Sequence, residues 1–379
     1  MRISVIVPAE LGHTELSAWS EMQMRTASLR NPFLSASFST AVATMRPRAR
    51  VAVLEQAQRI VGFFPFERRA FGVGTAIGMG FSDCQGLVHE PGLEWDPREL
   101  LLKSNLSVWE FDHLLTDQRP FTPHHYSRTR SPIIDLRDGY DDYLAGRRAG
   151  HRNVVQATWR KRRKLEREVG AIDFVYDSRD PNLLRKVMGW KSAQWRRTAQ
   201  PDKLANPSVT GLLHDLFATR ETTCYGSLSV LFVNGEAIAG HFGIRSSSVL
   251  ASWFPAYNPD FEGYSPGLLM FFLMAEAAAA TGIGHIDLGK GEMRYKDSLA
   301  NGEIAIAEGA VERSFAIGAL RRVRHAPDRQ LKPWLRRHPR AHAAVRRIRD
   351  ELRNTPHLGR TKRVRTEGDR GAAVGQSNH

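Results

Sequence analysis

Tyr264-Ser265-Pro266-Gly267-Leu268 opens an apolar run that reaches Ala275 and, after Glu276, continues through four alanines. His285-Ile286-Asp287-Leu288-Gly289 follows, and then Gly291-Glu292-Met293-Arg294-Tyr295-Lys296. Ser265 is a good N-cap, Pro266 a good first helical residue and Gly282 a good stop, so the spacing predicts a helix over 266–280. That helix is apolar on nearly every face and is expected to be buried. A loop entering a buried helix presents free backbone donors and the positive end of the helix dipole, which suits an anion. The strand expected at 285–288 ends in glycines and is followed by a cationic Tyr-Lys pair. Together these features suit a phosphate-bearing cofactor with charge stabilised beside it.

Upstream, Ser227–Val233 and Glu236–Arg245 flank Asn234-Gly235, a strong hairpin signal. A strand at 249–255 extends the meander. Before it come a strand at 172–176 and helices near 181–197 and 208–220, and a last strand is expected over 303–311. The first half repeats this order. A strand at 3–7 precedes helical residues around 16–30 and a second helical segment after Asn31-Pro32. Strands at 50–54 and 59–66 flank Glu55-Gln56-Ala57-Gln58, a helix lies near 96–103, and a strand covers 107–111. Strand, helices, antiparallel meander, helix, strand thus occurs twice, which is an α+β pattern.

Composition narrows the classes. The chain has 379 residues, 42% of them hydrophobic, enough for two domains with real cores. Two distant cysteines, Cys84 and Cys224, give neither a disulfide framework nor metal-ligand spacing, in keeping with a reducing cytoplasm. The short apolar run after Met1-Arg2 reads as a strand, not a signal peptide, and the run at 268–275 is too short to span a bilayer. A cytoplasmic protein without a transmembrane segment is the expectation. Of the net charge of +14, residues 320–370 supply +12 through 17 Lys/Arg against 5 Asp/Glu, so the body is nearly neutral. The basic tail reads as solubilising and largely disordered, or as a contact for an anionic membrane surface or RNA. Nine further basic residues lie in 147–167, including Arg160-Lys161-Arg162-Arg163-Lys164, and read as a solvated face or a surface for phosphates. The expected organisation is an N-terminal domain at 1–136, a basic linker region at 137–170, a C-terminal catalytic domain at 171–319 and the tail from 320.

The doubled order is that of the N-acetyltransferase (GNAT) fold, an α+β arrangement of mixed, mainly antiparallel sheets flanked by helices. Asn31-Pro32-Phe33, Ser82-Asp83-Cys84-Gln85-Gly86, Pro132–Leu136, the basic helix 160–168, Tyr264–Gly267, Asp287–Gly289 and Gly291-Glu292 with Tyr295-Lys296 resemble the BioF2-like, CelD (BcsL)-type acetyltransferases, whose wider relatives are the FemAB-type transferases. The resemblance implies tandem GNAT domains, an acyl-CoA donor such as acetyl-CoA, and transfer to an amine or hydroxyl of a small molecule or glycan. A polysaccharide or envelope precursor is the acceptor that the family suggests. One departure is that the loop before the central helix reads Gly263–Leu268, with fewer glycines than the Q/R-x-x-G-x-G/A pattern and a proline that removes one donor. FemAB relatives with altered loops use aminoacyl-tRNA, so that donor stays open, as does a non-catalytic GNAT-like binding role.

Within this frame Tyr264, Ser265, Pro266, Gly267 and Leu268 are the cofactor-binding candidates. Lys296 is the candidate for stabilising a tetrahedral oxyanion, a role the resemblance also implies. Asp287, Glu292 and His241 are candidate bases, the last because imidazole titrates near neutrality. Tyr295 is a candidate acid for a leaving thiolate or a core aromatic, and an extended segment would point it away from Lys296. Asp83, Trp253 and Tyr257 are candidates for the acceptor pocket. His124-His125 and His338 lack partners at metal spacing, so no metal is expected.

Overall fold

The Asn234-Gly235 turn takes the form its sequence demands. Both residues have positive φ, 49° and 76°, so the loop twists with the strands Tyr225–Val233 and Glu236–Arg245 that it joins. Ala57 and Gln58, at φ 47° and 62°, close the equivalent hairpin of the first half. The computed structural model describes residues 1–291 and 293–313, all within one compact unit, Met1–Gly318. The tail from 320 lies outside the described residues.

The strands are β1 (Arg2–Ile6), β2 (Ala49–Gln56), β3 (Arg59–Arg68), β4 (Val73–Ala76), β5 (Val88–His89), β6 (Val108–Leu115), β7 (His125–Asp135), β8 (Ile172–Ser178), β9 (Tyr225–Val233), β10 (Glu236–Arg245), β11 (Val249–Tyr257), β12 (His285–Asp287) and β13 (Gly302–Glu312). The α-helices are α1 (His13–Arg25), α2 (Ala36–Met45), α3 (Pro97–Lys103), α4 (Tyr140–Gly150), α5 (Arg152–Glu168), α6 (Pro181–Arg197), α7 (Pro207–Ala218), α8 (Pro266–Ala280) and α9 (Arg294–Leu299). One sheet runs in the order β1-β2-β3-β4-β6-β13-β7-β12-β11-β10-β9-β8, with β5 on β3.

The two halves mirror each other. In each, a meander is followed by a helix and a parallel return, β4 with β6 in the first and β11 with β12 in the second. The residues expected as separate domains at 1–136 and 171–319 share this continuous sheet because the closing strands cross over. β7 pairs with β12, and β13 pairs with β6, while β7 and β13 pair with each other. The linker region holds α4 and α5, and α5 packs its buried Val155 and Leu165 toward the second half.

α8 spans the predicted helix and is buried through Leu269, Phe272, Met274 and Ala278. Gly282, at φ 81°, ends it, and Ile283 N reaches back to Ala278 O at 3.0 Å. α6 and α7 cover the other face of β9–β11. Gly240 of β10 lets α6 approach closely, since a Cβ there would lie 2.1 Å from Val187 Cγ2. Gly240→Ala is therefore expected to lower stability by about 1–3 kcal/mol through overpacking, read as a lower Tm in calorimetry.

Two expectations from sequence change, and one strand had no counterpart in the sequence reading. The helix read over 16–30 stops at Arg25, because Thr26 is extended, and resumes as a tight turn over Ala27–Arg30. The polar residues 125–131 form the first part of β7, where pairing with β13 outweighs composition. The segment 294–299 is helical, not extended, which changes how Tyr295 and Lys296 relate.

Candidate functional site

β11 and β12 pair over only three residues, Val249–Ala251 with His285–Asp287. Beyond them the chains part, β11 continuing to Tyr257 while the chain after β12 turns through Gly289 and Gly291 into α9. A cleft of about 490 Å³ fills the gap. Its walls come from α6 (Lys191, Gln194), β11 (Ser252, Trp253, Tyr257), the start of α8 (Ser265–Leu268) and the turn into α9 (Gly289, Tyr295, Lys296), and Asp83 reaches it from the first half.

The entrance to α8 departs from ordinary capping. Ser265 sits in the left-handed region at φ 54°, ψ 52°, and its side chain makes no cap hydrogen bond. Its Oγ instead accepts from Lys161 Nζ at 2.7 Å. Thus a cation from the basic helix α5 stands beside the positive end of the α8 dipole, and both favour an anion. Tyr264 lies just outside, its hydroxyl donating to Glu168 at 3.0 Å.

Lys296 is 6% exposed. Its ammonium donates to Gly289 O at 2.8 Å and Lys290 O at 3.1 Å, which leaves one of three donors for the cleft. Burial lowers its pKa, and Asp83 and Asp287 oppose the shift. Since α9 is helical, Tyr295 and Lys296 both line the cleft. Tyr295 stacks on Phe271 at 5.9 Å, and burial pushes its phenol up to about 12, so it stays protonated at neutral pH.

Asp83 is held by the motif around it. Gln85 Oε1 accepts from the backbone N of Asp112 and His113 at 2.9 and 3.1 Å, and its Nε2 donates to Asp112 at 2.7 Å. His113 lies 3.6 Å from Asp83 and bonds Asp112 at 2.9 Å. A Cβ on Gly289 would lie 3.1 Å from Asp83 Oδ2 and 3.9 Å from Lys296 Nζ, so both groups converge on this glycine. Burial pushes the Asp83 carboxyl up to about 6. His113, Lys296 and Lys203 oppose that rise, and Asp287 adds to it.

The other candidates have different surroundings. Asp287 is 3% exposed, and its carboxylate accepts from Ser131 Oγ, from Gly289 N at 2.9 Å and from Asn31 Nδ2 at 3.4 Å. It therefore fixes the turn that presents Gly289 and Lys296. His241 is fully buried behind the cleft, with Nε2 2.9 Å from Ser252 Oγ. Burial, with Lys191 nearby, lowers its pKa to about 3, so it remains neutral. Trp253 donates to Phe81 O at 2.9 Å and stacks on Phe254, while Tyr257 reaches Glu262 at 3.4 Å. Glu292 lies outside the described residues. Among the described residues, no cluster of three or more His, Cys, Asp or Glu side chains could hold a metal ion.

Sequence reasoning missed Lys191 and the Gln85–Asp112–His113 mount, and it marked the run Arg160–Lys164 as a surface for phosphates without singling out Lys161. Lys191 Nζ donates to Pro255 O at 3.1 Å, and burial, with Lys203 and Lys296, lowers its pKa to about 8. The flanking Trp190 and Trp195 were the one visible sign that this helix face is partly buried.

The comparisons agree with this architecture. Residues 152–297 match the family model described as an acetyltransferase (GNAT) domain. FemX matches with a TM-score of 0.54 at 10% identity, over 83% of this chain and 97% of its own. A conserved protein of unknown function from Bacteroides thetaiotaomicron gives 0.50 at 12%, over 79% and 98%. The C-terminal domain of a putative lysylphosphatidylglycerol synthetase from Agrobacterium fabrum gives 0.49 at 11%, over 82% and 95%. No curated protein matches the sequence. No described helix is long and apolar enough to cross a membrane. Residues 152–297 are thus similar to a GNAT acetyltransferase domain, and the chain has an α+β GNAT fold of two similar halves.

Proposed function

We propose that the protein is an acyltransferase of the BioF2-like, CelD-type group that moves an acyl group, typically acetyl, from acyl-CoA to an amine or hydroxyl. One observation carries this reading: Lys296 Nζ and Asp83 Oδ2 converge on Gly289 at one end of a cleft whose other end is the start of α8 with Lys161 beside it. The donor diphosphate binds at 264–268, where the helix dipole and Lys161 offset its charge. The thioester carbonyl then lies near the third donor of Lys296, which stabilises the oxyanion as it forms. Asp83 takes the proton from the attacking amine or hydroxyl. Tyr295, a neutral phenol on the same short helix, protonates the departing thiolate. Asp287 and His241 support the site through the turn and through Ser252.

Asp83 takes the base role ahead of Asp287 because its carboxyl is half-buried at the cleft wall, whereas both Asp287 oxygens already accept bonds. The test is release of free CoA thiol when full-length protein is mixed with acyl-CoA and a panel of amines and alcohols. Turnover that needs an acceptor supports the reading. Turnover seen only with charged tRNA, and lost on ribonuclease treatment, would replace acyl-CoA with an aminoacyl donor.

A further inference from the structure

A second cavity, about 320 Å³, shares Asp83 with the donor cleft. It lies on the sheet face opposite α8. The side chain of Ile286 belongs to the core around α8, so its neighbours His285 and Asp287 point to the other face, and both line this cavity. The cavity exists because of the strand exchange. β13 brings Ile304 and β7 brings Ile133 alongside Leu115 of β6 and the Ala27–Asn31 segment of the first half.

Its chemistry is uneven. The walls are mainly apolar, with Leu115, Ile133, Val249 and Ile304 among them. The floor gathers the Asp83 and Asp287 carboxylates and the His285 ring, whose Nε2 is buried without a partner. Burial keeps that imidazole below its usual pKa, hence neutral, so it can exchange a hydrogen bond without adding charge. The rim arginines are already committed, Arg137 to Asp135 and Arg30 to Met24 O. A floor of acceptors suits an ammonium or amine, and apolar walls suit a hydrocarbon stem. The several hydroxyls of a sugar outnumber the groups on the floor, and each one set against the apolar walls would lose water without a replacement partner, at a cost of about 1–3 kcal/mol.

We propose that this cavity is the acceptor site and that it takes a primary amine on an aliphatic stem, which meets the thioester from the face opposite α8 at Asp83. The inference rests on the acyl-CoA reading above. The amine nitrogen attacks the thioester carbon and loses its proton to Asp83. The C–N bond forms, the C–S bond breaks, and coenzyme A leaves as the thiolate, which then takes up a proton.

The experiment compares full-length protein acting on n-alkylamines from propyl to octyl, on glucosamine, and on both in Ile304→Arg, with donor affinity measured separately by calorimetry. Ile304 is only partly buried, so the substitution narrows the cavity without entering the central core. The expected result is kcat/KM rising about fourfold per methylene until the cavity is full, as burial of each CH₂ group dictates. Glucosamine should be a poor substrate, and Ile304→Arg should raise KM for hexylamine at least about tenfold with donor affinity unchanged. Donor binding combined with flat chain-length dependence, preference for glucosamine, or indifference to Ile304→Arg would overturn the acceptor inference alone. Absence of acyl-CoA binding would overturn it together with the donor reading.

Discussion

Lys296→Met is expected to lower kcat by about 10²–10³-fold while leaving donor affinity within about threefold of wild type. The size follows from the role proposed for the lysine. Burial and two carbonyl partners hold its ammonium still, so in the proposed mechanism little reorganisation would be needed as charge appears on the thioester oxygen. Methionine preserves much of the volume but removes the charge and leaves Gly289 O and Lys290 O without this donor. A stability loss of about 1–3 kcal/mol is therefore expected as well. Circular dichroism and Tm must accompany the kinetics, so that lost turnover in folded protein is what is scored. Wild-type kcat in that variant would remove Lys296 from the chemistry.

Asp83→Asn is expected to cost about 10²–10⁴-fold in kcat/KM, the range for losing a general base. It should also change the pH profile. A carboxyl raised to about 6 is protonated below that pH and cannot accept a proton, so wild-type kcat/KM should rise through pH 6 and then level. The variant should lose that limb. Stability should move the other way. A carboxylic acid whose folded pKa lies above its unfolded value binds its proton more tightly when folded. Its ionisation therefore reduces stability as pH climbs from about 4 to 6. Above pH 6 the neutral asparagine escapes this cost, and Tm should rise by roughly 1–2 °C. A variant with an unchanged acid limb would assign the base elsewhere.

Much of the fold was legible where local chemistry is unambiguous. Pro266 to Ala280 and Pro181 to Arg197 appear as helices with the predicted bounds, and Asn234-Gly235 is the predicted hairpin. The crossover of β7 and β13 was not legible, because pairing between residues more than 150 positions apart leaves no periodic trace. It also explains the missed strand at 125–131, whose polar residues carry no alternating apolar face.

The candidate site was legible in part, for a similar reason. Ser265–Leu268, Tyr295 and Lys296 line one cleft together with Asp83, Trp253 and Tyr257, while Tyr264 lies just outside it. Lys161 and Lys191 are single cations on basic or mixed helices, and only packing singles them out. Ser265 looked like a side-chain cap, yet Lys161 takes its hydroxyl and the backbone turns left-handed there. His241 looked titratable from its type alone. Full burial in the sheet removes that property.

Acyl-CoA is expected to bind in the cleft between β11 and α9 with its diphosphate at the start of α8. Calorimetric titration of the full chain with acetyl-CoA and longer acyl-CoAs tests it most directly. The expected result is micromolar binding that Lys161→Ala weakens about tenfold, in keeping with loss of one phosphate contact worth about 1.4 kcal/mol. No binding of any acyl-CoA, or binding indifferent to Lys161, would contradict it.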